Sequence, residues 1–360
     1  MKLQRSAWAG LISLVVVVIF SLTMLGTPET PWQEIKKAPA TTSADQIEAG
    51  LRIKHIYNLS LSAKTFNADG WLWLKWPESI QQKIEAEKIP ISQLVELLNQ
   101  VENNGSSLEP EGNAPRRLPS GHYLQVFRFS GKFLDDYQGL HNFPFENLEL
   151  PITVEIRPYQ FSMGQDGVTL APRVSESEVM DDSIELNGYT LKGTRASSFI
   201  HDYATVFGEE NSKRAGEYSL ATFEVVYAAN HWAAFYRLIM PWLAVMAILM
   251  LAPNIQDNLN DVRLAIPSTG LLTLVFLQQG ATSKLPPLSY LTFLDKLYLF
   301  GFLAATTEFC MFVWSINLFS TAAPSEKGKV VERIQRAGRT YQLAAIAGSF
   351  SLLLLGHSSN

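Results

Sequence analysis

Between positions 261 and 283 the chain reads DVRLAIPSTGLLTLVFLQQGATS, apolar enough for a membrane yet broken by groups that interact with water and ions. At about 100° per residue, Asp261, Ala265, Thr269, Leu272, Phe276, Gln279 and Ser283 share one narrow stripe of a helix. Leu264, Leu271, Leu274, Val275 and Leu277 cover much of the remainder. Along its axis the stripe orders a carboxylate, a hydroxyl, two large apolar side chains, an amide and a second hydroxyl. Polar groups on a spanning helix are costly against lipid, so they face protein or water. Two chemistries fit. Thr269 and Gln279 could simply hydrogen-bond to neighbouring helices. Alternatively the stripe lines a water-filled path, which needs several copies around an axis because one helix encloses nothing. In that arrangement Leu272 and Phe276 form apolar rings that gate by dewetting, and Asp261 forms an acidic ring favouring cations.

Other chemistries find little purchase. There is no P-loop, no HExxH, no GxSxG and no cysteine nucleophile in the polar half, so an enzyme is not expected and no cofactor is implied. The net charge of −5 gives no case for nucleic acid. Cys310 is the single cysteine, and no Cys/His cluster suggests zinc. The acidic run 176–185 could hold a divalent ion, but a solvated acidic loop is the plainer reading, so no metal is expected. Glu308, within an apolar block, and His231, at the edge of another, are titratable groups in positions where function is common.

The stripe must be positioned by the rest of the chain, which changes character along its length. Lys2 and Arg5 precede an apolar run from about Ala7 to Leu25, which reads as a signal peptide or signal-anchor over 1–26. Residues 27–50 read as a linker or arm. Residues 51–231 show many short alternating strands with turn signals, predicting a β-sandwich. FNADG (66–70) reads as a turn between two of them, and 78–118 reads as an insertion with helical spacing over 78–103, broken at Pro90. Four apolar blocks follow at about 232–251, 262–283, 293–319 and 341–355. The first three reach the roughly 20 residues needed to cross a bilayer, and the short fourth would cross with help from its flanks. Lys327, Lys329, Arg333, Arg336 and Arg339 mark the 320–340 link as cytoplasmic, which puts the sandwich outside, where an export signal also sends it.

Residues 261–299 resemble the pore helix, the following loop and the third helix of pentameric ligand-gated ion channels, the Cys-loop receptor superfamily. Asp261-x-Arg263, Leu272, Leu285-Pro286 and SYLT before Asp295 stand at the family's spacing. FPFENLEL (143–150) resembles the sandwich loop that couples to the membrane domain, and FNADGWLWLKW (66–76) resembles the first hairpin of the sandwich. No cysteines flank the FPFE loop, so the resemblance is to prokaryotic members. Pro267 lies inside the pore helix, where it removes a backbone hydrogen bond. No arginine before the first membrane block matches the family's.

The resemblance implies an immunoglobulin-like sandwich, a four-helix membrane domain and a homopentamer around an axial pore in the bacterial inner membrane. It implies a stimulus-gated channel, cation-selective through Asp261, with a small-molecule agonist or protons as stimulus. Phe143, Pro144, Phe145, Glu146, Leu285, Pro286 and Tyr290 would form the coupling interface. Trp71, Tyr159, Phe161, Phe207 and Tyr218 are the implied agonist-site residues, although an aromatic on a strand is more often core. The rival expectation is a membrane-anchored sensor that keeps the fold without conducting, which Pro267 and Gly270 keep open.

Overall fold

A period of two runs unbroken through residues 66–76. Phe66, Ala68, Gly70, Leu72, Leu74 and Trp76 are buried, and the residues between them are less so. FNADG therefore lies inside a strand, β2 (Thr65–Trp76), and is not a turn, although that strand is one arm of the first antiparallel hairpin. The reversal comes earlier, where Lys64 N–H bonds the Leu61 carbonyl at 3.2 Å after β1 (Gln46–Ser60). Gly70 is not a turn residue. A Cβ there would stand 2.1 Å from the Arg52 carbonyl oxygen on the paired strand, so close backbone approach requires glycine.

The computed structural model describes residues 45–101, 105–135, 139–162, 167–173, 186, 188–203, 205, 216–255, 260–283 and 285–358. The expected export segment, Phe207, Lys284 and the acidic run 176–185 lie outside these residues. A β-rich region is followed by helices. After β2 come β3 (Val95–Leu97), β4 (Gln100–Val101), β5 (Ser107–Pro110), β6 (Arg116–Arg117), β7 (Tyr123–Leu134) and β8 (Leu148–Ile156). Then come β9 (Thr169–Pro172), β10 (Tyr189–Asp202) and β11 (Glu217–Ala229). One sheet runs β4-β7-β2-β1-β9, with β5 and β6 also on β7; the other runs β10-β11-β8-β3. Leu72, Phe127 and Phe129 from the first share a core with Ile152, Val154, Phe223 and Val225 from the second. Strand alternation supplies one apolar face per sheet, and burying both faces together drives this layer pair.

The segment 78–103 departs from its helical spacing. A helix, α1 (Glu78–Ala86), ends before Pro90, and Leu94, Val95 and Leu97 are buried in the sheet core. β3 pairs with β8 and β4 with β7. Proline disfavours helix in the residue before it, and sheet pairing then overrides the local preference of VELLNQV. The supposed linker also yields its last residues, from Gln46, to β1.

The helices are α2 (His231–Asn254), α3 (Asn260–Thr282), α4 (Phe293–Ser320) and α5 (Lys327–Ser358). In α2 a π-helical turn at Phe235–Ile239 precedes Pro241, whose missing N–H cannot close an α-turn onto Arg237. Among the described residues, α2, α3 and α4 are long and apolar enough to cross a membrane. The expected fourth span is not among them. Residues 341–355 continue one long helix whose first turns carry Lys327, Lys329, Arg333, Arg336 and Arg339, so most of the 320–340 link is helical.

Trp242, Met246 and Leu249 of α2, Leu274 of α3, and Leu294, Leu297 and Tyr298 of α4 form the helical core. Trp242 Nε1–H donates to the Leu297 carbonyl at 3.0 Å. Two compact units result. One contains Leu140–Phe145 and His231–Asn360; the other contains Pro31–Gly139 and Glu146–Asn230.

Candidate functional site

The faces of α3 divide by chemistry. Asp261, Ala265, Thr269, Leu272, Phe276, Gln279 and Ser283 are all exposed, Leu272 and Phe276 to 55% and 63%. Arg263, Pro267, Leu274 and Ala281 are buried on the other side. The hydroxyls of Ser268, Thr273 and Thr282 bond carbonyls of their own helix, at 2.8, 2.8 and 2.9 Å. Among the described residues, the Thr269 and Gln279 side chains bond no other helix of this chain, so intrachain bonding does not account for them. Gly270 packs against α2, where a Cβ would stand 2.9 Å from Leu249 Cδ2. Pro267 and Gly270 thus serve the inward packing side.

Asp261 and Arg263, two residues apart, face different surroundings. Asp261 is exposed, whereas Arg263 is 5% exposed with its guanidinium 4.7 Å from the Phe312 ring centre. Close by on α4 lies Glu308, fully buried, whose carboxylate oxygens find no hydrogen bond among the described residues. Cys310 is exposed.

A loop between β7 and β8 belongs by its contacts to the helical unit. Leu140 N–H donates to Tyr290 Oη at 2.6 Å, and Phe293 N–H donates to the His141 carbonyl at 2.7 Å. The His141 and Tyr290 rings lie 3.9 Å apart, and Phe145 meets the rings of His231 at 5.6 Å and Phe293 at 6.0 Å. Phe143 also packs on the helical core, Pro286 is buried, and the Phe143–Pro144 bond is cis. Leu285 N–H closes the end of α3 on the Thr282 carbonyl. Burial, with the Lys296 charge added, lowers the His141 pKa. Thr292 and Asp295 form a capping box that starts α4, which gives the SYLT-Asp pattern a structural role. His141 went unremarked in the sequence because only its partner Tyr290, far along the chain, gives it a role.

The expected agonist residues scatter. Phe161 is 1% exposed and sits in the sheet core, so it is not offered to a ligand. Tyr159 is half exposed beside it, and Trp71 Nε1–H donates to Glu111 Oε1 at 3.1 Å on the other sheet. Tyr218 is nearly buried, and here a cluster the sequence did not reveal assembles. Glu155 on β8 is buried, with Oε1 2.9 Å from His201 Nδ1 and Oε2 accepting the Tyr203 hydroxyl at 2.5 Å. His201 and Tyr203 rings lie 3.9 Å apart, and Tyr203 meets Tyr218 edge-on at 5.9 Å. Tyr203 N–H bonds the Gly216 carbonyl, closing the base of the hairpin that leads to β11. Burial first, then the bond to Glu155, raises the Tyr203 pKa. The cluster offers a buried carboxylate bonded by one phenol and one imidazole, with the second phenol packed on the first. Among the described residues no group of His, Cys, Asp and Glu side chains is arranged to hold a metal.

No known protein family matches the chain, and no curated protein sequence does.

Proposed function

We propose that five copies of this chain form a stimulus-gated, cation-selective ion channel of the Cys-loop receptor type. Each copy contributes an immunoglobulin-like sandwich outside the cell and helices that cross the bacterial inner membrane, with α5 as a fourth, shorter crossing. The observation that carries the reading is the α3 stripe: seven residues spaced for one face are all exposed, while Arg263 turns into the protein. Around a fivefold axis those faces enclose a path, Leu272 and Phe276 form its dewetting constriction, and Asp261 supplies a ring of carboxylates.

The stimulus acts at the Glu155, His201, Tyr203 and Tyr218 cluster, whose chemistry suits a small cationic agonist or protons. Two strands tie that cluster by chain continuity to the helices. β8 follows the 140–145 loop, and β11 runs into α2 at His231. A ligand that prefers one arrangement of these strands biases the closed-open equilibrium. The loop, bonded to Tyr290 and to the start of α4, transmits the bias to α3. Neither residue that kept a non-conducting sensor open lies in the stripe, since Pro267 and Gly270 face α2 and the core.

The test is current from purified protein in planar bilayers under a salt gradient, during a screen of amines and pH. Wild type should show a cation reversal potential, and Asp261→Lys should shift it toward the anion value. An anion-selective wild type would sink the charge assignment. A pentamer that stays silent across the screen would instead favour the sensor.

A further inference from the structure

One face of α4 carries Ala304, Glu308 and Phe312 at successive turns. The outer two are engaged by neighbouring helices. The Ala304 carbonyl accepts the Tyr341 hydroxyl of α5 at 3.1 Å, and the Phe312 ring holds the Arg263 guanidinium of α3 at 4.7 Å from its centre. Glu308 lies between these contacts, fully buried, and its carboxylate oxygens find no hydrogen bond among the described residues. Arg263 and Tyr341 are both close enough to feel its charge. A buried carboxylate without a donor is costly. Other donors nearby are committed: the Tyr341 hydroxyl to Ala304, the Ser315 hydroxyl to the Phe312 carbonyl at 2.8 Å, and the Gln342 amide to the Met250 carbonyl at 2.8 Å. The Arg263 guanidinium is the group whose paired N–H donors match a carboxylate. A cavity of about 430 Å³ borders Arg263, Met311, Phe312 and Ser315, so side chains at this end of the unit have room to move.

We propose that Arg263 is a latch with two stations on α4, one turn apart: the Phe312 ring, which it occupies in this structure, and the Glu308 carboxylate, which it reaches in a second arrangement of α3 and α4. One turn is about 5.4 Å along a helix, a step that a long side chain covers with a small slide of one helix past the other. The ring holds the cation by its quadrupole, and the carboxylate holds it by charge-assisted hydrogen bonds. The first arrangement leaves Glu308 without a donor, and the second gives up the ring contact. Two arrangements with opposed costs make an element that a stimulus can bias. Asp261 lies two residues from Arg263 on the same helix, so the step also shifts the end of the exposed stripe. The latch rests on the packing of the helical unit alone. It stands whether or not the protein conducts, and its test measures no current.

The experiment is magic-angle-spinning proton–nitrogen correlation spectroscopy of the arginine side chains, on the purified full chain in phosphatidylcholine bilayers. Arg263→Lys identifies the Arg263 Nε–H signal by its loss. A proton over a ring face is shielded, and one shared with a carboxylate is deshielded. Expected in wild type is a signal upfield of the ordinary arginine position. Phe312→Leu and Phe312→Met both remove the ring station, and either should move the signal downfield past the ordinary position. Glu308→Gln added to either replacement should abolish that downfield shift, because the second station is then gone. A signal that stands, in both ring-free variants, where the matching double variant puts it would overturn the proposal. So would a wild-type signal already downfield that Glu308→Gln alone returns to the ordinary position, since Glu308 would then be the resting partner of Arg263.

Discussion

His141 shows how a single side chain is defined by partners distant in sequence. Its ring lies against Tyr290, its carbonyl accepts from Phe293, and burial with the Lys296 charge favours its neutral form. The folded chain therefore binds this proton less readily than the unfolded chain, whose imidazole has the ordinary value of 6.5. Stability from the loop contact is fully present above that value and declines as pH falls from 6.5 toward the lowered folded value. Thermal unfolding at pH 7.5 and about pH 5, a range spanning ordinary imidazole titration, should show a smaller acid loss in His141→Gln than in wild type. Equal losses would mean that His141 stays solvated in the fold. A related contrast separates Asp261 from Arg263. Two positions on a helix are about 200° apart, so one charge meets solvent while the other is buried against Phe312.

At the scale of elements, the helical unit depends on close approach. Gly301 on α4 lies where a Cβ would be 3.0 Å from both Leu274 Cδ1 and Trp242 Nε1, so α2, α3 and α4 meet at this point. Gly301→Leu overpacks that junction and should cost about 1–3 kcal/mol, read as a lower thermal midpoint. Gly328→Ala on α5 is the control, because a Cβ there meets nothing within 4 Å, and it should be neutral or slightly stabilising. Matching losses in the two variants would show that helix propensity, and not the junction, governs the unit. The strands tell a complementary story: β3 forms from a stretch with helical spacing because Val95 and Leu97 gain burial beside β8.

For the whole molecule, the exposed apolar pair Leu272 and Phe276 is costly in an isolated chain facing water and is useful in an assembly around a narrow axis. In the proposed pentamer, Leu272→Ser puts hydroxyls where the closed path must dry. Current without stimulus should rise several-fold over wild type in bilayer recordings, an equilibrium shift of about 1 kcal/mol. Unchanged resting current would place the closed constriction elsewhere.

Three apolar helices after a β-rich region, and the face of α3, were legible in the sequence because helix geometry is local: a repeat near 3.6 residues assigns every side chain to a side without knowledge of its neighbours. The strand-rich half was legible for the same reason, through its period of two. Turns and short elements were less so. FNADG has the composition of a turn, yet Gly70 is there because the Arg52 backbone comes close. The Glu155 cluster was out of reach, since Glu155, His201 and Tyr203 meet across 46 and 48 residues through the registers of β8, β10 and β11. The loop at 140–145 likewise acquires its helical partners across 150 residues. Spacing alone determined which residues share a face. Only the tertiary fold, by pairing strands and burying loops, decided which faces and side chains meet.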